Sequence, residues 1–137
     1  MVKAKPRKKT ERQKLVARLD RAFSKYIRAR DGYCALSQYP EQAKSCGGVL
    51  QCGHLYSRAA YSTRWNPKNA FGLCGGHNLL MEHNHAVWIA FKMHAIAMLG
   101  EEEVNQLERE HNTPHKYSNS DLRELITEYE GRGSGTK

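Results

Sequence analysis

The chain contains four cysteines and seven histidines, and one short run sets two of them at the spacing of metal ligands: Cys74-Gly75-Gly76-His77. Thiolate sulfur and imidazole nitrogen are the donors tetrahedral zinc takes, and structural sites assemble them from two short pairs that the fold brings together. Glycines between the ligands let the backbone turn tightly around an ion. The other pair is less regular. Cys34, Cys46 and Cys52 compete for it, and Ser37 stands where a cysteine spaced by two residues from Cys34 would be. Cys46-Gly47-Gly48 has the form of the turn half of a knuckle. The expected ligand set is therefore Cys34, Cys46, Cys74 and His77, with residues 35–45 looped out and Cys52 in reserve. The alternative is a pair of buried free thiols or a disulfide.

A chain of 137 residues and 15.7 kDa has room for one domain. With 39% hydrophobic and only 9% aromatic residues it has material for a modest core, and a structural zinc would add folding free energy on the order of 10 kcal/mol. No apolar run reaches the roughly 18 to 20 residues of a membrane span. The N-terminus is rich in Lys and Arg without the apolar block of a signal peptide. A cytoplasmic protein with no membrane partner is expected, and in that reducing setting thiols serve metals more often than disulfides.

The net charge of +8 is unevenly distributed. Seven cations face Glu11 alone in residues 1–14, a net of +6, whereas residues 101–137 carry a net of −4. A basic N-terminal half suits a polyanion. Thr10 followed by Gln13 predicts a capping box, after which Leu15, Leu19, Phe23, Tyr26 and Ile27 recur at helical spacing. Lys14, Arg18, Arg21, Lys25 and Arg28 share the opposite side within a sector of about 80°. Five cations on one face match a phosphate backbone; an ordinary solvated face would mix signs. Residues 31–77 read as loop and hairpin. A helix is predicted from Asn84 through Val87, Trp88, Phe91 and Ile96 to Gly100, its Trp, Phe and Met residues serving as core. Further helices are expected over 101–110 and 118–129, with 131–137 disordered.

Between the ligand pairs lie Gly53-His54-Leu55-Tyr56-Ser57-Arg58, then Arg64-Trp65 and Asn69, followed by Cys74 to Asn78. This order resembles the HNH nucleases with a ββα-metal core. More closely, with Arg18-Leu19-Asp20 and Phe23 to Asp31, it resembles the NinG/Rap family of lambdoid phage recombination proteins. The resemblance covers about two thirds of the chain, from Leu19 to about Leu107. It implies an α+β fold in which a small zinc-stabilised ββα-metal core is flanked by the N-terminal basic helix and C-terminal helices. The corresponding organisation is a flexible basic arm at 1–14, a nuclease domain at 15–110, and a C-terminal helix with a disordered tail at 111–137. Two features depart from the family pattern. The first ligand pair is not a compact Cys-x2-Cys, and the last ligand is His77 rather than cysteine.

The implied activity is that of an endonuclease hydrolysing phosphodiester bonds in branched DNA such as Holliday junctions, encoded by a phage and working in the host cytoplasm. His54 is then the general base, Asn69 the residue that pins the His54 loop, and Arg58 a phosphate clamp. His54 and Asn78 form the protein side of a catalytic Mg²⁺ or Mn²⁺ site, since hard ions take oxygen ligands. Related junction nucleases carry an acid just before the base, where this chain has Gly53; Glu82, His83 and Asn84 are near in sequence. Arg18, Arg21, Lys25 and Arg28, with Arg58, are the expected DNA contacts. A homodimer through the 84–99 helix would suit a two-fold junction, and recombination proteins are expected partners. Two other readings share most of these residues: a non-enzymatic zinc module that binds DNA and recruits other proteins, and an HNH nuclease that cuts linear duplex. A secreted, disulfide-stapled basic protein is a third.

Overall fold

The computed structural model describes residues 7–134. Helix α1, Glu11–Asp31, begins where Thr10 Oγ1 accepts the Gln13 N–H and Gln13 Oε1 accepts the Thr10 N–H, a reciprocal capping box. It ends at Gly32. Its apolar stripe buries Leu15, Leu19, Ala22, Phe23 and Ile27, and Tyr26 is half-buried beside it.

A short 3-10 turn and helix α2, Pro40–Ala43, lead to strand β1, Leu50–His54. Strand β2, Ala70–Cys74, pairs with it antiparallel in a register from Leu50 opposite Cys74 to His54 opposite Ala70. The connection holds helix α3, Tyr61–Arg64, and a 3-10 turn over Pro67–Asn69. Helix α4, Gly75–Leu80, follows β2 without a linker, and the Cys74 sulfur caps it by accepting the His77 N–H. Helices α5, His85–Leu99, α6, Glu101–His111, and α7, Asn119–Ser134, complete the chain. Asn84 caps α5, accepting the Val87 N–H, and Gly100 ends it.

The hairpin lies between two apolar clusters, and β2 is buried along its whole length. One cluster joins α1 to Leu122, Ile126 and Tyr129 of α7, with Trp65 and Ala70. The other joins Cys34, Ala35 and Leu36 to Phe71, Leu73 and Cys74 and to Val87, Phe91 and Ala95 of α5.

The structure is mixed α and β as the sequence predicts, with three corrections. Helix α7 runs to Ser134, so within the described residues 131–134 are helical rather than a disordered tail. That helix packs on α1 in a shared cluster, which ties segment 111–134 to the rest. The methionines of α5 are not core: Met93 and Met98 are 60% and 63% exposed. Helix α1 already starts at Glu11, inside the stretch expected to be a flexible arm. Positions 1–6 of that arm and 135–137 of the tail lie outside the described residues. Among the described residues no helix is long and apolar enough to cross a membrane.

Candidate metal centre and catalytic cleft

Cys34, Cys46, Cys74 and His77 converge, each offering one ligand atom, and those atoms all lie within 4.8 Å of one another. His77 Nδ1 stands 3.6 Å from the sulfurs of Cys34 and Cys46 and 3.3 Å from that of Cys74. Sulfur and nitrogen bound tetrahedrally to one zinc ion are about 3.5 Å apart, given their bond lengths of about 2.3 and 2.0 Å. The donor set and spacing therefore fit a structural metal such as zinc.

Local chain geometry brings the ligands together. Gly48 adopts φ +83° in the turn after Cys46, a conformation glycine takes at no steric cost. The turn then lies against the start of α4: the Gly76 N–H donates to the Gly47 carbonyl and the Gly75 N–H to the Val49 carbonyl, both at 2.9 Å. Cys46 is exposed as a residue, but desolvation of its sulfur at the cluster, then the neighbouring Cys34 and Cys74 sulfurs, push its thiol up to about 12. At Cys74 burial also acts upward, but it is outweighed by the N–H groups of Gly47 and His77, each 3.4 Å from the sulfur, and the thiol sits below its usual value. Burial lowers the His77 pKa, which favours the neutral ligating form, and the Gln42 backbone opposes that in part. A bound cation would compensate such crowding, because it takes the deprotonated thiols as ligands. Cys52 is not in the cluster. It sits on β1 and packs toward the α1 cluster, and burial raises its thiol to about 12.

His54 ends β1, and its Nε2 lies 2.9 Å from the Arg64 carbonyl oxygen. A carbonyl only accepts, so Nε2 carries the proton, and the neutral ring presents a bare Nδ1. Burial lowers the His54 pKa, with the Arg64 hydrogen bond opposing and the Arg58 charge assisting. His54, Arg58 and Asn78 line one cleft of 460 Å³ together with Cys52, Leu55, Glu82 and Trp88. Asn78 Nδ2 donates to Gln51 Oε1 at 2.8 Å, which leaves its Oδ1 available. Arg58 makes no ion pair among the described residues.

Asn69 is fully buried. Its Oδ1 accepts the Tyr56 N–H, and its Nδ2 donates to the carbonyls of Tyr56 and Thr63, at 2.9 to 3.1 Å. It thus ties together both sides of the loop between His54 and Arg64. Gly53 has a steric reason: a Cβ there would meet Leu73 Cδ1 at 2.4 Å. The space an acid would occupy before His54 is filled by Leu73.

The basic face of α1 is exposed, but its signs are not unmixed. Glu130 of α7 accepts two hydrogen bonds from Arg18, both at 2.7 Å. Arg28 donates to Ser24, while Lys14, Arg21 and Lys25 form no ion pairs among the described residues. Asp20, Phe23 and Ser24 of α1 reach the edge of the cleft beside His54 and Asn78. At about 100° per residue, Arg28 and Arg21 are the cations of the stripe nearest that edge. Asp20 and Arg64 stand in segments that carry the family resemblance, but sequence reasoning assigned neither them nor Gln51 a role at the site. A further signal was Asp20 itself, an acid within the basic run.

No curated protein matches the chain, and no solved structure does. A family model described as Bacteriophage Lambda NinG protein matches residues 1–135.

Proposed function

The chain belongs to the bacteriophage lambda NinG family, and we propose that it is a metal-dependent endonuclease cutting branched DNA during phage recombination. On this reading β1, β2 and α4 form the ββα-metal core of an HNH nuclease, and Cys34, Cys46, Cys74 and His77 hold a structural zinc. The observation that carries the proposal is the placement of His54: its Nε2 lies 2.9 Å from the Arg64 carbonyl oxygen, which leaves Nδ1 as the nitrogen to accept a proton, in a cleft shared with Asn78 and Arg58.

Phosphodiester hydrolysis needs a base to take a proton from the attacking water. His54 Nδ1 does this, since burial keeps the ring neutral. With Nε2 committed, His54 has one nitrogen to offer, so it acts as the base and leaves ion binding to Asn78. A bound Mg²⁺ or Mn²⁺ would stabilise the charge that builds on the phosphate. Asn78 Oδ1 is the oxygen ligand for it, held in orientation by the Gln51 bond. Arg58 grips a phosphate, and Arg21, Lys25 and Arg28 carry the flanking backbone.

The test is cleavage of a labelled four-way junction beside matched linear duplex and single strand, with Mg²⁺ or Mn²⁺. His54→Ala is expected to keep zinc and junction binding and to lose about 10²- to 10⁴-fold in cleavage rate. Junction binding without cutting by wild type would favour the recruiting module, and equal cutting of linear duplex the general HNH enzyme.

A further inference from the structure

The Arg64 carbonyl that fixes His54 belongs to a residue held on every side. Arg64 ends the four-residue helix α3, where backbone carbonyls have no intrahelical partner, so this oxygen is available to an outside donor. Its side chain is only 15% exposed. Nε and Nη2 donate to the two carboxylate oxygens of Asp20 at 3.0 and 2.6 Å. Nη1 donates to the Arg58 carbonyl at 3.1 Å. The guanidinium also lies 5.3 Å from the Tyr61 ring centroid and 5.5 Å from that of Trp65. Asp20 in turn accepts the Trp65 Nε1–H at 2.9 Å, so three donors from two adjacent residues at the end of α3 converge on one carboxylate of α1. A bidentate arginine–carboxylate pair fixes direction as well as distance.

We propose that Asp20 and Arg64 are positioning residues for His54: the carboxylate of α1 anchors the Arg64 fork, and this holds the Arg64 carbonyl on His54 Nε2 and the Arg58 backbone at the mouth of the cleft. The role is that of the third member of a nucleophile, base and orienter set, except that a backbone carbonyl faces the imidazole and the acid acts one step behind it. It accounts for an acid inside a basic helix, and it gives His54 an orienting partner although Gly53 leaves no carboxylate beside it. Because Asp20 belongs to the helix that carries Arg21, Lys25 and Arg28, the base is registered to the same element that grips DNA. The catalytic consequence rests on the nuclease reading; the orientation of His54 does not.

The experiment measures the His54 tautomer in zinc-loaded protein by two-bond ¹H–¹⁵N correlation spectra, beside junction cleavage, for wild type, Asp20→Asn and Asp20→Glu. Wild type is expected to show the Nε2–H tautomer. Asp20→Asn is expected to keep zinc and junction affinity, to populate Nδ1–H, and to lose about 10- to 100-fold in kcat at unchanged KM, the size of effect seen when an orienting outer partner is removed. Asp20→Glu, which retains the charge and both oxygens, is expected to restore part of each. An unchanged tautomer in Asp20→Asn would overturn the proposal, as would a kcat loss that Asp20→Glu does not recover at all. Should wild type not cleave, the nuclease reading fails while the tautomer comparison still decides the positioning. Should Asp20→Asn lose its zinc, Arg64→Lys, which keeps the charge without the fork, carries the same two measurements.

Discussion

Around α1 and α7, the side chains of Leu19, Phe23, Ile27, Leu122, Ile126 and Tyr129 close a cluster between helices about a hundred residues apart in sequence. Around the ligand cluster the chain is organised differently. Residues 37–49 include no buried residue, yet Cys46 is carried onto Cys34, Cys74 and His77, and the turn after it is pinned to α4 by two backbone hydrogen bonds. The first region is ordered by apolar area throughout; in the second, Cys34 and Cys74 share an apolar cluster, but the 37–49 loop meets it through backbone hydrogen bonds and one of four donor atoms that could hold a metal. The contrast shows how a loop can be placed without being buried: bonds to a metal held by these four residues would be short and directional, whereas apolar contact requires area the loop does not have.

The largest test removes a ligand. Cys74→Ser is expected to abolish zinc retention and cooperative folding of the hairpin region, since structural zinc contributes on the order of 10 kcal/mol; metal analysis with near-ultraviolet circular dichroism reads both. A folded, zinc-loaded variant would erase the contrast. Phe23→Ala, in the other region, is expected to cost about 3 to 5 kcal/mol in urea unfolding while the folded fraction keeps its zinc. If zinc were lost in the folded state, the two regions would be one.

Acid sharpens the same contrast more gently. His94 is buried in the ligand-side cluster region, its Nδ1 2.7 Å from the Tyr39 hydroxyl, and burial lowers its pKa. The unfolded chain therefore takes up a proton near pH 6.5 that the folded chain refuses. The stability His94 contributes is present above that pH and is lost as pH falls toward the lower folded value. The urea midpoint is expected to fall between pH 7.5 and 5.5, less steeply in His94→Gln. The smallest effect concerns α1. Neutralising Arg21 and Lys25 is expected to reduce the salt slope of DNA binding by about 1 for each, and adding Arg18→Gln to change it little, because Glu130 already occupies that guanidinium. Equal contributions from all three would mean that DNA displaces Glu130.

Much of this was legible because it is local. A capping box at Thr10, the Asn84 and Gly100 limits of α5, and the Cys74 to His77 knuckle are each written within a few residues. The choice of Cys46 over Cys52 was legible only through the two glycines that follow Cys46. The outward side of α5 was not: the helix is apolar nearly all round, so periodicity could not tell Phe91, which is buried, from Met93, which is not.

By itself the sequence determined which residues can ligate, cap and turn, since those properties depend on side-chain type and near neighbours. It also determined that α1 has one apolar and one basic face, because a helix converts spacing directly into direction. Only the tertiary structure decided that Glu130 would occupy Arg18, that Leu73 would fill the space beside Gly53, and that Asp20 would reach Arg64 and, through its carbonyl, His54. These contacts join residues separated by 10 to 112 positions, and no local rule of spacing encodes them. They arise when packing of the two clusters fixes α1, the hairpin and α7 at distances where short hydrogen bonds can form.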